Sequence, residues 1–404
     1  MATIILPRNV HFVYEHALAH LELRDAFGLD LEWDVLDPWR LNASLDGSEQ
    51  VILERAAYVG EIDGSQSVYS QLIRPAYQGG RYNRTRSENQ YLTHWIYPYK
   101  GKFHPQMIRG ILNSIRAERG WKVADVFSGS GTTLLECQLL GVHSVGVEIS
   151  PLCVLLTRVK TESWLAAEKI GEAVDDLLAR DNLDPRETAA SEWEPQEVAN
   201  FVEIARMVTF SDMSRRGRDP EKYFRKNLLA MLRSVSDMAK AIDDFGISPG
   251  DVEILQGDSR DLRAVGLEAQ SIDAVVTSPP YSVALDYVAN DEHALTALGY
   301  DVDELRQSFI GVRGNGMKER LALYERDMRD ALAEMARVLK PGAPAVIVIG
   351  NITFGGQESL TTDDIVQWAE SAGMRFEREM PKIVWGLYNV VKDEKILFLR
   401  RGAY

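Results

Sequence analysis

VADVFSGSGTTLLECQLLGVHSVGVEISP, residues 123–151, has the pattern of a buried strand, a glycine turn, a helix and a second strand. Gly129 and Gly131 allow backbone angles and a close ligand approach that a Cβ atom would obstruct. The second strand ends at Glu148, 19 positions after Gly129. A carboxylate at that distance from a glycine turn can accept hydrogen bonds from a ribose. These residues therefore predict a βαβ unit that carries a nucleoside-cofactor site.

Three classes of cofactor use such a turn, and the sequence disfavours two of them. A P-loop requires a Gly-Lys-Ser/Thr ending, but Thr132 follows Gly131 directly. A dinucleotide fingerprint requires a third glycine at the position that Leu134 occupies. The remaining class is S-adenosylmethionine, which has no pyrophosphate to place at a helix N-terminus. A tight βα turn without any ligand is the alternative at this point.

The rest of the chain alternates predicted strands and helices, which indicates a mainly parallel sheet with ligands at its carboxyl edge. Predicted strands at 252–255 and 272–277 lead into Asp258 and into the motif Ser278-Pro279-Pro280-Tyr281. Both motifs, like the glycine turn, follow the carboxyl end of a predicted strand. They are therefore expected to lie together.

The motif TSPPY, at 277–281, has an unusual backbone chemistry. Its two prolines fix φ and remove two backbone donors, so the nearby carbonyls have no competing N–H group. Ser278 adds a hydroxyl acceptor and Tyr281 a flat face. Such a site suits a planar ring whose exocyclic amino group bonds to Ser278 and to the Pro279 carbonyl. Those bonds would direct the nitrogen lone pair towards a sulfonium methyl group. A strand end without function is the alternative.

Composition excludes several other classes of protein. Two cysteines among 404 residues are too few for a disulfide framework or a Cys-rich zinc site. The sequence shows no membrane-spanning stretch and no secretory-signal pattern, so a cytoplasmic protein without a membrane partner is predicted. The net charge of −15 is uneven: residues 74–122 hold ten Lys/Arg and two acids, and a second basic cluster covers 215–226. Local basic clusters predict contact with nucleic-acid phosphates.

DVFSGSGTT (125–133) combined with TSPPY (277–281) resembles the S-adenosylmethionine-dependent DNA amino-methyltransferases. KFHPQMI (102–108) resembles the segment that packs beside the cofactor in that family. Serine before Pro-Pro-Tyr is typical of N4-cytosine methylation, whereas aspartate there is more typical of N6-adenine methylation. Val126 replaces the proline common in the family's DPF motif, which should alter the rigidity of the turn more than its chemistry.

The resemblance implies a role for each matched position. Residues 127–131 would contact the methionine part of the cofactor, Glu148 the ribose hydroxyls and Asp258 the adenine amino group. Phe103 would pack near the cofactor. The predicted catalytic set is Ser278, Pro279, Pro280 and Tyr281, which hold the target base. The predicted cofactor-binding set is Phe103, Asp125, Phe127, Ser128, Gly129, Ser130, Gly131, Thr132, Glu148, Ile149, Asp258 and Ser259, and no metal is predicted.

The predicted fold class is α/β, a Rossmann-like class I methyltransferase sheet with a helical insertion and an N-terminal extension. Residues 94–151 and 251–404 are assigned to the catalytic domain. The mostly helical range 152–250 is assigned to an insertion and is a candidate target-recognition region. Residues 1–93 are assigned to the extension, a candidate DNA-contacting region. Within it we expect strands at 51–59 and 67–73. Elsewhere we expect a closing loop at 282–320 and an antiparallel strand pair within 383–399.

The sequence thus predicts a site-specific DNA methyltransferase that acts on the exocyclic N4 of cytosine in double-stranded DNA, with the target base flipped. N6-adenine methylation, RNA amino-methylation and a non-catalytic nucleic-acid-binding subunit are the alternatives. A homodimer and a cognate restriction or phage-defence protein stay open as partners. Cys137 and Cys153 are expected to be small core residues, so covalent attack on a ring carbon is disfavoured.

Overall fold

The computed structural model describes residues 1–34, 36–73, 90–280, 286–354, 357–360, 362–382 and 394–403. Tyr281 and part of the basic window, residues 74–89, therefore lie outside the described residues. For 352–354 and 357–360 only the backbone is described.

The N-terminal region forms an antiparallel sheet of its own, with the strand order β2-β3-β1-β4-β5. Its strands are β1 (Ala2–Ile5), β2 (Leu31–Trp33), β3 (Arg40–Ala43), β4 (Glu61–Ile62) and β5 (Ser65–Gln66). Its helices are α1 (Val13–Leu21), which continues into a π-helical turn (Glu22–Ala26), α2 (Glu49–Arg55) and α3 (Val68–Leu72).

The two strands predicted at 51–59 and 67–73 are wrong, because helices α2 and α3 occupy most of these ranges. In α3 the Ser67 hydroxyl accepts a hydrogen bond from the Ser70 N–H at 3.0 Å, which is an N-cap. Tyr69 and Leu72, three positions apart, are the buried residues of this helix. That spacing belongs to a helix face and not to alternation along a strand.

A seven-stranded sheet forms the centre of the molecule, with the order β13-β14-β10-β9-β6-β7-β8. The further strands in chain order are β6 (Lys122–Asp125), β7 (His143–Glu148), β8 (Val252–Gln256), β9 (Ala274–Thr277), β10 (Pro344–Gly350), β11 (Ile352–Phe354), β12 (Gln357–Leu360), β13 (Met374–Lys382) and β14 (Glu394–Arg401). Pairs among β8, β7, β6, β9 and β10 are parallel, whereas β14 is antiparallel to β10 and β13. This is the predicted Rossmann-like class I methyltransferase sheet, which is confirmed.

The terminal antiparallel pair is also present, but its first strand, β13, precedes residue 383. The chain runs outward from β6 through β7 to β8 and then returns to β9 on the other side of β6. Such a reversal leaves a crevice at the carboxyl ends of the central strands, where open α/β sheets bind their ligands.

Helices cover both faces of this sheet. The remaining helices are α4 (Pro105–Ser114), α5 (Thr132–Leu139), α6 (Pro151–Glu162), α7 (Ala167–Leu178), α8 (Gln196–Arg216), α9 (Pro220–Asp244), α10 (Tyr287–Ala297), α11 (Val302–Arg306), α12 (Met317–Val338) and α13 (Thr362–Ser371). One apolar core joins the N-terminal region to α4 and one sheet face, and another joins α12 and α13 to the opposite face. A third core joins α6 to α10.

Residues 152–250 are mostly helical and contain no strand, as the sequence predicts. The predicted loop at 282–320 is wrong where α10, α11 and the start of α12 occupy it, whereas residues 307–316, between α11 and α12, are non-helical. Among the described helices, none combines the length and the apolar character needed to cross a bilayer.

Candidate active site

A cavity opens at the carboxyl ends of β6, β7, β8 and β9. It encloses about 1130 Å³, its open mouth included. Twelve predicted site residues line it: Phe103, Phe127, Ser128, Gly129, Ser130, Thr132, Glu148, Ile149, Asp258, Ser259, Ser278 and Pro280. The structure thus brings together residues that lie up to 177 positions apart in the chain.

Three described residues of the predicted set do not reach the cavity wall. Gly131 packs against Thr157 on the side of the turn away from the cavity lining, and Asp125 and Pro279 are buried. The fourth exception, Tyr281, lies outside the described residues.

The glycine turn between β6 and α5 requires both of its glycines. Gly129 and Gly131 have φ angles of 48° and 75°, which disfavour a side chain. A Cβ atom on Gly131 would lie 2.6 Å from the Thr157 hydroxyl oxygen, and one on Gly129 would lie 3.3 Å from the Tyr99 ring. Thr157 and Tyr99 therefore pack directly against the turn, which leaves room for backbone only.

Glu148, at the end of β7, holds the turn from the other side. Its carboxylate oxygens accept hydrogen bonds from the N–H groups of Gly129 and Ser150, each at 2.8 Å. Burial raises the pKa of Glu148 to about 7, against the lowering effect of these hydrogen bonds. Each carboxylate oxygen has two lone pairs, so both keep capacity for a ligand hydroxyl. The geometry suits the predicted contact with a ribose.

Asp125 links the two sequence motifs beneath the cavity. Its carboxylate accepts a hydrogen bond from the Thr277 hydroxyl at 2.6 Å and another from the Phe127 N–H at 3.2 Å. Thr277 is the first residue of TSPPY, so this contact fixes the end of β9 beside the end of β6. Burial raises the pKa of Asp125 to about 6. Asp125 therefore holds the ends of β6 and β9 together beneath the cavity and does not itself line the cavity.

The turn also presents polar groups that the described residues leave without partners. The hydroxyls of Ser128, Ser130 and Thr132 are buried, and no described residue forms a hydrogen bond with them. All three residues line the cavity. Buried polar atoms are nearly always hydrogen-bonded, so these hydroxyls fit a polar ligand such as the amino-acid part of S-adenosylmethionine.

Asp258, after β8, is held by Arg260. The Arg260 Nε–H is directed between the two carboxylate oxygens, at 2.9 and 3.0 Å. Arg260 also contacts Asp327 at 3.1 Å and donates to the Ser308 carbonyl at 2.9 Å, which connects this edge of the cavity to α12. The remaining lone pairs of Asp258 can accept the predicted adenine amino group.

Several wall residues carry no motif and were missed by sequence reasoning. Tyr99 and Tyr287 stack with their ring centroids 6.2 Å apart, and Phe309 lies on the wall as well. Tyr99 belongs to the aromatic segment before α4, and the aromatic composition of that segment is the sequence feature that could have pointed to it. Tyr287 and Phe309 come from the range predicted as a loop, and nothing in their local sequence indicates a site.

Two lysines support the same wall, Lys160 fully buried and Lys102 partly exposed. Lys160, on α6, donates a hydrogen bond to the Ser130 carbonyl at 2.8 Å, and burial holds its pKa well below the usual value. Lys102 donates to the His94 carbonyl, and burial lowers its pKa to about 7. The first contact fixes the glycine turn, and the second fixes the segment that carries Phe103.

Part of the predicted phosphate-binding surface is instead internal. Arg109 is fully buried, with its Nε–H 2.8 Å from a Glu136 carboxylate oxygen. Lys102 is engaged as described above, and the Arg116 Nε–H donates to the Asp25 carbonyl at 2.6 Å. The prediction of a phosphate-binding surface is wrong for Arg109, whose buried charge is paired with Glu136, whereas for the exposed Arg116 and the partly exposed Lys102 it stays a prediction.

Comparison with known proteins agrees with the geometry. Residues 63–157, which include the glycine turn and Glu148, match the model of the DNA methylase family that covers N6 and N4 enzymes. This stretch is similar to that family over about a quarter of the chain. The predicted resemblance to the S-adenosylmethionine-dependent DNA amino-methyltransferases is thereby confirmed, with S-adenosylmethionine as the cofactor.

Relatives cover parts of the chain. The Type II methyltransferase M.MjaII of Methanocaldococcus jannaschii is 38% identical over 89 residues, 21% of this chain and 16% of its own length. The Type II methyltransferase M.BsoBI of Geobacillus stearothermophilus is 22% identical over 282 residues, 55% of each chain. The chain thus spans about half or less of the length of these two relatives. TrmN from Thermus thermophilus superposes with a TM-score of 0.35 at 13% identity, over 75% of this chain and 50% of its own.

Proposed function

We propose that this protein is a DNA methyltransferase that transfers the methyl group of S-adenosylmethionine to the exocyclic N4 of cytosine. The observation that carries the proposal is the single cavity that joins Gly129 and Glu148 to Ser278 and Pro280. A cofactor held at the first pair and a base held at the second would lie next to each other. The DNA methylase match over 63–157 supports the same chemistry.

The chain's own residues would act mainly by position. Bound S-adenosylmethionine supplies a methyl group on a sulfonium, which is a strong donor and needs no metal or covalent enzyme intermediate. Glu148 and the hydroxyls of the glycine turn orient that donor. The Ser278 hydroxyl accepts an amino hydrogen of the base and directs the nitrogen lone pair towards the methyl group. Positioning of this kind accounts for a large share of the rate in many enzymes.

The choice of cytosine rests on the serine at position 278. A serine hydroxyl both accepts and donates, whereas the aspartate more typical of the adenine enzymes only accepts when ionised. N6-adenine methylation is the second candidate, since the matching family model covers both bases. M.MjaII and M.BsoBI are named Type II methyltransferases, which supports a place for this chain in restriction-modification.

One experiment separates these candidates. The protein is incubated with isotopically labelled cofactor and, in parallel, with DNA and RNA, which are digested to nucleosides for mass spectrometry. N4-methyldeoxycytidine is the expected product. Label on deoxyadenosine would replace the cytosine assignment by the adenine one, and label on RNA alone would exclude DNA as the substrate. No label in either polymer would contradict the proposed activity.

Two variants test the assigned roles. Ser278→Ala and Tyr281→Ala are expected to lower methyl transfer at least about a hundredfold while the Kd for the cofactor stays within about twofold, because positioning effects of this size are common. Ser236→Ala is the matched control, since Ser236 is an exposed residue of α9 whose hydroxyl donates to the Leu232 carbonyl. Loss of cofactor binding in both site variants would show that these residues belong to a different pocket.

A further inference from the structure

A second cavity, which we name the α8–α9 cleft, opens beside the cofactor cavity. Its walls are one face of α8 and α9, the segment 95–104, and Phe12 and Tyr14 of the N-terminal region. It encloses about 2460 Å³, its open mouth included. Four residues lie on the walls of both cavities: Tyr99, Lys102, Phe103 and Lys382. The two cavities therefore adjoin at these residues.

The helical wall of the cleft is basic. Arg216 of α8 and Lys226 and Arg233 of α9 line it and are exposed. Asp212 is the one acid among the described residues that line the cleft, although the chain as a whole carries a net charge of −15. Arg216 contacts Asp212 at 3.3 Å, and its side chain is 62% exposed. An ion pair so exposed is weak, so it does not prevent Arg216 from binding a phosphate.

The facing wall of the cleft is aromatic. Phe12, Trp95 and Phe103 line it and are partly exposed. From the helical side Leu229, which is 46% exposed, adds an apolar group. Aromatic faces beside basic groups in one groove are the combination that binds unpaired nucleotides, by base stacking on the rings and by phosphate contact with the cations.

We propose that the α8–α9 cleft binds the DNA strand that carries the target nucleotide. Its phosphates contact Arg216, Lys226 and Arg233, and bases next to the target stack on Trp95 or Phe103. The strand then enters the cofactor cavity across the shared wall, where Ser278 holds the target base. The inference rests on the proposed function and adds that the helical insertion supplies the strand-binding surface.

The test uses DNA binding, which does not depend on turnover. The variant is the triple replacement Arg216→Ala, Lys226→Ala and Arg233→Ala. Fluorescence anisotropy of labelled duplex and single-stranded DNA is measured between about 50 and 200 mM salt. The triple variant is expected to bind at least about tenfold more weakly at the lowest salt. The slope of log K against log salt should fall by about two to three, since each phosphate contact contributes about 0.7 to 0.9.

The matched control removes three exposed positive charges elsewhere: Lys169→Ala, Lys240→Ala and Arg263→Ala. It produces the same change in net charge, so a similar loss in both triples would reduce the effect to total charge and overturn the proposal. The Kd for S-adenosylmethionine should stay within about twofold in both, which confirms that each variant is folded. Trp95→Ala is a separate variant that should weaken single-stranded more than duplex binding, by about 5- to 150-fold per stacked base.

The outcomes also separate this inference from the proposed function. If the wild type methylates DNA and the cleft triple binds and methylates it like the control, the cleft assignment is overturned while the function stands. If the wild type methylates neither DNA nor RNA, the proposed function is overturned, whatever the cleft triple binds. If the cleft triple loses RNA binding and the wild type does not bind DNA, the occupant is RNA and the proposal is overturned.

Discussion

The affinity for S-adenosylmethionine should depend on pH through Glu148. Burial at the end of β7 raises the pKa of this carboxyl to about 7. Ribose hydroxyls bind best to an ionised carboxylate, because hydrogen bonds to a charged acceptor are stronger than those to a neutral one. The cofactor should therefore bind the deprotonated form preferentially, and its affinity should rise with pH up to a plateau above the pKa.

The magnitude follows from the fraction ionised. With a pKa of about 7, roughly one site in eleven is ionised at pH 6 and roughly ten in eleven at pH 8. The apparent Kd should therefore fall about tenfold between these pH values, which corresponds to about 1.4 kcal/mol. Asp125, whose pKa burial raises to about 6, lies nearby and adds a smaller change at the acidic end.

The assay is titration calorimetry from about pH 5.5 to 8.5 on the wild type and on Glu148→Gln. The variant should bind about 10- to 100-fold more weakly at pH 8, since a hydrogen bond to a charged group contributes about 1.5–3 kcal/mol. Its profile should lack the change near pH 7. The ratio of the two profiles cancels any titration of the cofactor itself. A wild-type profile that is flat, or a Gln variant that keeps the tenfold change, would refute the assignment.

Three further predictions test the residues that support the site. Gly131→Ala should weaken cofactor binding at least about tenfold, because the new Cβ would lie 2.6 Å from the buried Thr157 hydroxyl at a φ of +75°. Gly171→Ala is the control: this glycine lies in α7 with open space around it, so the change should raise the free energy of unfolding by about 0.5–1 kcal/mol. Glu136→Gln should lower the free energy of unfolding by about 3–5 kcal/mol in urea titrations, because it leaves the buried charge of Arg109 unpaired, and Glu136→Met combined with Arg109→Met should recover most of the loss. The pKa of Glu136 is lowered to about 2, so its contribution to stability is present above the usual carboxyl pKa and should be lost as pH falls through about 2. Thr277→Val removes the 2.6 Å donor to a buried carboxylate and should lower kcat about tenfold or more in the labelled-methyl assay, with less effect on the cofactor Kd.

The sequence could predict the part of the site that is local. The glycine turn, Glu148 and Ser278 to Pro280 each lie at the carboxyl end of a strand, and strand direction alone brings such ends together in a parallel sheet. Asp258 was placed by the same reasoning. These motifs need no knowledge of distant contacts, which is why their positions around one cavity agree with expectation.

The wall that closes the cavity could not be predicted, because its residues meet only in three dimensions. Tyr99 and Tyr287 lie 188 positions apart and share no motif. The basic composition of residues 74–122 led to a wrong prediction for Arg109 for a related reason. Arg109 belongs to a basic run that suggested a phosphate surface, but its partner Glu136 lies on α5. A buried ion pair between distant residues leaves no trace in the local composition.

The buried contacts behind the wall between the two cavities also bear on whether the protein or the nucleotide moves during the reaction. Lys102 donates to the His94 carbonyl, and the His94 ring contacts Glu136 at 2.8 Å. Glu136 in turn binds Arg109, so the segment before α4 is tied to the helix that follows the glycine turn. Breaking such a buried pair costs about 3–5 kcal/mol, comparable to or above the few kcal/mol needed to flip a base. We therefore expect the wall between the two cavities to stay in place while the nucleotide moves across it, and cofactor affinity to be the same before and after DNA binds in the α8–α9 cleft.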